Sequence, residues 1–209
     1  MSLVDILIKE GWLKTEIIVD AFKKIKREDF MPEDIKNLAE LNEALPIGFS
    51  QTISQPLTVA FMLELLQPRE EDNVLDVGSG SGWTTALLAQ IVGGKGKVIA
   101  IEIVPELKKI GEQNVSKYNF VKKEIAQFIL GNGSHGYEPL APYDKILASA
   151  SGSELPIAWK KQLKVGGRIV CPISNSIWLF VKKTEKELEE TEYPGFSFVP
   201  LVSKNNGNF

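Results

Sequence analysis

The stretch with the most chemistry in it is Val74-Leu75-Asp76-Val77-Gly78-Ser79-Gly80-Ser81-Gly82, an apolar run that ends in three closely spaced glycines. Glycine carries no Cβ and takes up left-handed backbone freely, so such a turn lets main-chain amides come close to a ligand. At the carboxyl end of a strand in a doubly wound sheet, that is where ligands bind. The spacing is not the dinucleotide fingerprint G-x-G-x-x-G, because the third glycine comes one residue early and Trp83 stands where that pattern has glycine or alanine. Two carboxylates attend the turn. Asp76 precedes the first glycine and is suited to fixing the loop or to facing an ammonium group. Glu102 closes the next apolar run, Val98-Ile99-Ala100-Ile101-Glu102, about 20 residues further on, the spacing of an acid that accepts both ribose hydroxyls of a nucleoside ligand. A purely structural turn and a solvated strand-end glutamate are the plainer alternatives, and the two features together favour the ligand.

The remaining reactive side chains are few. Cys171 is the only cysteine and sits in Arg168-Ile169-Val170-Cys171-Pro172-Ile173, where it reads as a small hydrophobe at the end of a buried strand. His135 is the only histidine; between Ser134 and Gly136, with no cysteine or acid at ligand spacing, it reads as a surface residue, and no metal site is expected. Whatever reaction occurs here has to run without a histidine base.

These residues need elements to position them. From residue 73 the chain alternates β-rich apolar runs with helical stretches: strands at 74–77, 97–101, 126–130, 145–148 and 168–171, helices at 84–92, 106–118 and around 157–163. This is the pattern of a parallel sheet covered by helices. Residues 177–182 and 196–201 are strand-like with no long helix between them, which predicts an antiparallel pair at one end of the sheet. Before residue 46 the reading is helical, with Ile17, Ile18, Ala21, Phe22 and Ile25 at helical spacing and Thr15 placed to cap them. No strand is expected there. A loop over 49–55 then leads into a helix that begins at Pro56, carries Val59, Phe61, Met62, Leu65 and Leu66 on its apolar side and stops before Pro68. The expected fold class is α/β: a three-layer, doubly wound, Rossmann-like sheet, mostly parallel, with an antiparallel C-terminal strand pair and an N-terminal helical cover. All 209 residues are read as one domain, with 1–46 as the cover, 47–202 as the core and 203–209 as a tail expected to fray.

Composition narrows the function. A formal net charge of -3 offers no basic excess for a phosphate backbone, so nucleic acid is not an expected partner. The N-terminal stretch has Asp5 inside it and lacks a basic region and a cleavage site, and no apolar run approaches the ~20 residues of a membrane span. With one cysteine and no signal peptide, a cytoplasmic location is expected. The sequence leaves oligomeric state open.

Three further observations carry a family resemblance. With Asp76 ahead of it, the glycine turn resembles motif I of class I S-adenosylmethionine methyltransferases. Gly48-Phe49-Ser50-Gln51-Thr52-Ile53-Ser54-Gln55-Pro56 resembles the G-x-x-Q-T-I-S-x-P substrate loop of the protein-L-isoaspartate O-methyltransferase family. Ala141-Pro142-Tyr143-Asp144, the run Gln162 to Val170 and Phe198-Val199-Pro200-Leu201 are similar to that family's A-P-Y-D, Q-L-x-x-G-G-R-x-V and F-V-P-L segments, in matching order. The resemblance implies an enzyme that transfers a methyl group from S-adenosylmethionine to the carboxylate of L-isoaspartyl residues in damaged proteins or peptides and so initiates their repair. It implies Ser54 as the catalytic hydroxyl that orients that carboxylate. Thr52, Ile53, Asp76, Gly78, Ser79, Gly80, Gly82, Glu102, Asn132 and Gly133 would hold the cofactor, and Gln51, Ser149, Ala150 and Val202 would border the substrate.

Two departures bear on this reading. Asn132 replaces an acid common in the family, and Ser149-Ala150-Ser151 is more polar than the family's usual alanine-rich stretch. Ser54 has a plainer reading too, as a helix cap ahead of Pro56. A methyltransferase of other, small-molecule specificity and a non-catalytic module that binds S-adenosylmethionine or an isoaspartyl segment remain alternatives.

Overall fold

A computed structural model describes residues 1–201 of the chain. Val202 and the tail expected to fray lie outside the described residues. Six α-helices and nine β-strands follow in the order α1 (Leu3–Lys9), α2 (Glu16–Lys24), β1 (Leu45–Gly48), β2 (Gln51–Ile53), α3 (Pro56–Leu66), β3 (Asn73–Val77), α4 (Trp83–Val92), β4 (Lys97–Glu102), α5 (Pro105–Ser116), β5 (Ala126–Leu130), β6 (Tyr143–Ala148), α6 (Ile157–Gln162), β7 (Leu163–Ile173), β8 (Ser176–Lys182) and β9 (Leu188–Pro194). The main sheet has the order β5-β4-β3-β6-β7-β8-β9. Strands β3 to β7 run parallel, and β8 and β9 are antiparallel to their neighbours. This is the expected mostly parallel sheet with an antiparallel end. Its strand order turns at β3, where β4 goes to one side and β6 to the other, and that switch opens a crevice beyond the carboxyl ends of the strands.

Alternation along the strands sends side chains to two unequal faces. Val74, Val98, Ala100, Leu147 and Val170 point into the larger apolar layer, shared with α1 to α5. Leu75, Val77, Ile99, Ile101, Ile146 and Ile169 point into a smaller one, covered by Trp159 of α6 and the loop carrying Tyr137 and Leu140. The N-terminal cover belongs to the first face. Phe22 of α2 meets Trp83 of α4 edge-on at 5.8 Å, and Trp12 meets Phe61 of α3 at 6.0 Å.

The elements differ from expectation in three places. Residues 45–53, expected to hold no strand, form the hairpin β1–β2, with Leu45 opposite Ile53. At its tip Phe49 and Ser50 both take positive φ, 53° and 56°, which costs non-glycine residues about 1–2 kcal/mol each. The last strand among the described residues is β9, an exposed edge carrying Glu189, Glu190 and Glu192, whereas the expected strand at 196–201 runs irregularly. Residues 199–201 do pair with Ser151: Ser151 N donates to Val199 O at 2.8 Å and Leu201 N to Ser151 O at 2.7 Å. Finally, Thr15 occupies the N-cap of α2 but its hydroxyl donates to Glu64 of α3 at 2.7 Å instead of capping. No helix of the described residues is long and apolar enough to cross a membrane.

The A-P-Y-D and Q-L-x-x-G-G-R segments sit at the end of the sheet away from the crevice. Asp144 accepts the Asn73 amide at 2.8 Å at the foot of β3, and the bulge that carries Gly166 and Gly167 shifts the β6–β7 register between Tyr143 and Lys145. They shape the sheet and do not line the crevice.

Candidate functional site

Beyond β3 lies a cavity of about 570 Å³, a size that suits a nucleoside-bearing ligand. Its walls come from separate parts of the chain: residues 49–55, the glycine turn, Glu102, the 131–133 turn, Ser149 with Ala150, and a roof of residues 197–201. Of the residues singled out from sequence, the structure brings Gln51, Thr52, Ile53, Ser54, Gly78, Ser79, Gly80, Glu102, Asn132, Gly133, Ser149 and Ala150 to this one wall. Asp76 and Gly82 are not on it, and Val202 is outside the described residues.

Asp76 is displaced from the wall by strand alternation. It follows Leu75 and precedes Val77, which face the smaller layer, so its carboxylate turns under α4, where it is fully buried and accepts the Thr85 hydroxyl at 2.6 Å. Burial pushes its carboxyl up to about 7 despite the lowering effect of the Thr85 bond, and the nearby Glu102 charge adds to the rise. The folded state therefore keeps this proton to near neutral pH while the unfolded chain releases it near 3.8. Between those values the folded state binds more protons, so Asp76 contributes a loss of stability as pH rises from about 4 through about 7. Chemical unfolding at pH 5 and pH 8 is expected to show that decline in the wild type and a flatter profile in Asp76→Asn.

Gly82 is displaced by a packing requirement. With φ at 91° it begins α4, and a Cβ there would stand 2.8 Å from Gly111 O and 2.9 Å from the Val115 side chain. A Cβ on Gly111, inside α5, would likewise stand 2.8 Å from Gly80 O. The glycine turn and α5 thus touch backbone to backbone. Gly82→Ala is expected to cost about 3 kcal/mol in denaturant unfolding, from overpacking together with left-handed strain. Gly111 went unnoticed in the sequence; its only signal is a glycine inside a helical run, which ordinarily costs about 1 kcal/mol.

The turn itself is pinned by β4. Gly78 N and Ser79 N donate to Ile101 O at 2.9 and 3.1 Å, and Gly80 N donates to Glu102 Oε2 at 2.8 Å. Glu102 Oε1 accepts from Ile103 N at 2.8 Å and Val104 N at 3.0 Å. A carboxylate has about four acceptor sites, so the one left open is on Oε2. Asn132 is similarly part-committed, its side-chain oxygen accepting Ser134 N at 3.0 Å. Ser54 is not the cap of α3. That position is Gln55, and the donor Leu57 N is accepted instead by Asn42 Oδ1 at 2.9 Å.

Residues given no individual role from sequence also line the cavity. Trp83 and Thr84 at the start of α4, Phe49 at the hairpin tip, and Ser197 and Phe198 in the roof all line it. Phe49 and Phe198 fall within segments already singled out, whereas Thr84 and Ser197 carry no spacing signal of their own. Among the described residues no group of three histidine, cysteine, aspartate or glutamate side chains is placed to hold a metal ion.

The sequence model of the family described as protein-L-isoaspartate(D-aspartate) O-methyltransferase matches residues 1–206. The chain belongs to this family. It is 37% identical over 206 residues to the protein-L-isoaspartate O-methyltransferase of Methanopyrus kandleri, covering 97% of this chain and 90% of that one. It is 41% identical over 191 residues to protein-L-isoaspartate O-methyltransferase 1 of Archaeoglobus fulgidus, covering 91% and 87%. Among solved structures, a protein-L-isoaspartate O-methyltransferase superposes with TM-score 0.87 at 28% identity over 96% of this chain, which spans 65% of that longer one. A Plasmodium falciparum structure assigned to the same enzyme, in complex with S-adenosyl-L-homocysteine, shares the fold with TM-score 0.85 at 22% identity, covering 96% of each chain. The chain is thus an S-adenosylmethionine-dependent methyltransferase of the class I, Rossmann-like fold.

The site residues fit that cofactor. A Cβ built on Gly80 would meet nothing within 4 Å except Ile47 Cδ1 at 3.5 Å, so the turn presents bare backbone to open space. Of the cavity-lining residues, Ser79 Oγ and Trp83 Nε1 are buried without a hydrogen-bond partner, as polar atoms are at a site built around a ligand; Asp76 Oδ1 and Arg27 Nε share that lack away from the wall.

Proposed function

We propose that the chain methylates the carboxylate of L-isoaspartyl residues in damaged proteins or peptides, initiating their repair, and that the residues of this crevice align the reaction without a catalytic base. The observation that carries the reading is the convergence of the Gln51–Ser54 segment and the glycine turn on one cavity. Bound there, S-adenosylmethionine supplies an electrophilic sulfonium methyl. Gly78, Ser79 and Gly80 would present backbone to it, the open Oε2 site of Glu102 would accept a ribose hydroxyl, and Asn132 and Gly133 would help to hold it. Thr52 and Ile53 close the near side. Asp76 and Gly82 support this surface from beneath.

Ser54 is assigned the task of donating a hydrogen bond from its hydroxyl to one oxygen of the incoming carboxylate, keeping its own proton and leaving the other oxygen free to attack. A side-chain carboxyl has an unperturbed pKa near 4, so at neutral pH it arrives as an anion and no proton needs removing. The chemistry left to the protein is alignment and exclusion of water. Gln51, Ser149, Ala150 and the roof at 197–201 border the path by which the substrate enters, and Val202 continues it in sequence.

All 209 residues are taken as one domain, supported by the packing of α2 on α4 and of Trp12 on Phe61. A cytoplasmic location accompanies the reading, supported by Cys171, which is buried and unpaired. The test is transfer of a labelled methyl group from S-adenosylmethionine to an isoaspartyl peptide, with the aspartyl isomer as control. Incorporation into the isoaspartyl peptide alone is expected. Equal labelling of both peptides, or of neither, would overturn the substrate assignment.

A further inference from the structure

Arg27 lies outside the cavity, in the short turn after α2, and is 7% exposed. All its partners are backbone carbonyls. Nη1 donates to Ala39 O at 3.2 Å and Leu41 O at 2.9 Å, and Nη2 donates to Glu43 O at 2.7 Å and Ser54 O at 3.1 Å. The guanidinium carbon stands 5.4 Å from the centre of the Trp83 ring, close enough for a cation–π contact. Burial lowers the group to about 10, so it is still a cation at neutral pH.

A buried guanidinium without a carboxylate is costly, and a core needs no such group for packing alone. What this one does is geometric. Its planar fork holds carbonyls in a fixed arrangement, and here they come from two segments, the irregular stretch 39–43 and the Ser54 junction between β2 and α3. Its remaining face rests on the residue that opens α4 directly after the glycine turn. A second tie runs beside it, since Gln55 Nε2 donates to Asn42 O at 2.9 Å. The two sides of the cavity, one carrying Ser54 and the other Trp83, are therefore referred to a single side chain of the N-terminal cover.

We propose that Arg27 is a positioning residue for methyl transfer, fixing the Ser54 main chain and the Trp83 ring at one separation so that the substrate hydroxyl donor stays in register with the cofactor turn. The proposal rests on the methyl-transfer reading above and adds to it a role for a residue that touches neither substrate nor cofactor. Lysine at this position keeps the cation but cannot span the four carbonyls. In Arg27→Lys, kcat on an isoaspartyl peptide is expected to fall about 10- to 100-fold, as misplacement on the scale of an ångström does. Calorimetric affinity for S-adenosylhomocysteine, used as the probe, is expected to stay within about threefold of wild type, since the glycine turn is held by Ile101 and Glu102.

Hydrogen exchange separates this role from a general stabilising one. Amides of residues 51–59 are expected to exchange at least about tenfold faster in the variant, while those of β3 to β7 keep their protection. Unchanged turnover with unchanged exchange at 51–59 would overturn the proposal. So would a variant that fails to fold or loses protection in every element alike, because Arg27 would then be an ordinary core residue. If the wild type itself failed to methylate the peptide, the functional reading would fall, and the exchange pattern would still decide whether Arg27 holds the Ser54 junction.

Discussion

Ser54→Ala is expected to lower kcat on an isoaspartyl peptide by about 10- to 100-fold while leaving S-adenosylmethionine affinity within about threefold, the range lost when one positioned donor is removed. The asymmetry follows from where the residue stands. Ser54 lines the cavity at the junction of β2 and α3, on a segment separate from the glycine turn to which the cofactor is assigned. Its hydroxyl is free of helix duty, because Asn42 supplies the acceptor for Leu57 N. Removing it therefore leaves α3 and the fold intact and takes away only the donor aimed at the substrate. Steady-state kinetics with the peptide varied, together with calorimetry for the cofactor, checks both halves. Wild-type turnover by the variant would leave Ser54 without a role in the reaction.

Gly80→Val is expected to weaken S-adenosylmethionine binding by about 100-fold or more and to abolish measurable turnover with it. Two effects add. With φ at 52°, the position is left-handed, which a β-branched residue tolerates poorly. Its missing Cβ also faces open cavity, with only Ile47 Cδ1 within reach, so valine methyls would stand in the space assigned to the ligand. Gly80→Ala separates the two, adding a single methyl to the same conformation, and an intermediate loss is expected. Calorimetry that finds normal cofactor binding by the valine variant would remove the turn from the site.

The parallel core was legible because its strands are apolar on both faces and alternate with helices of ordinary length; β3, β4 and β5 fall within a residue of where periodicity puts them. The edges were not. Strand β9 reads Leu-Glu-Glu-Thr-Glu-Tyr-Pro, and with neither face fully buried it has no apolar alternation to detect. Residues 196–201 have that apolar character for another reason, since Phe196 stacks on Phe61 and 197–201 roof the cavity. The β1–β2 hairpin is too short, and too marked by Pro46, to register as strand. In the site, the ligand-facing turn and Glu102 were visible from glycine spacing and a strand-end acid. Which side of β3 Asp76 would face was not visible, because alternation sorts residues into two faces without saying which face carries α4. Asn42, Gly111 and Arg27 act through partners far away in sequence, and nothing local in their neighbourhoods announces it.

The glutamates along β9 have a bearing on the company this enzyme keeps. Its clients are worn polypeptides, whose frayed and extended segments are the kind of chain that zips onto any bare sheet margin. A flat apolar border at the end of seven strands would hold such segments in unproductive complexes. Glu189, Glu190 and Glu192 put charge along that border, with Glu189 paired to Lys183 and Glu192 accepting the Ser176 hydroxyl at 2.7 Å, and a charged edge disfavours the addition of a further strand.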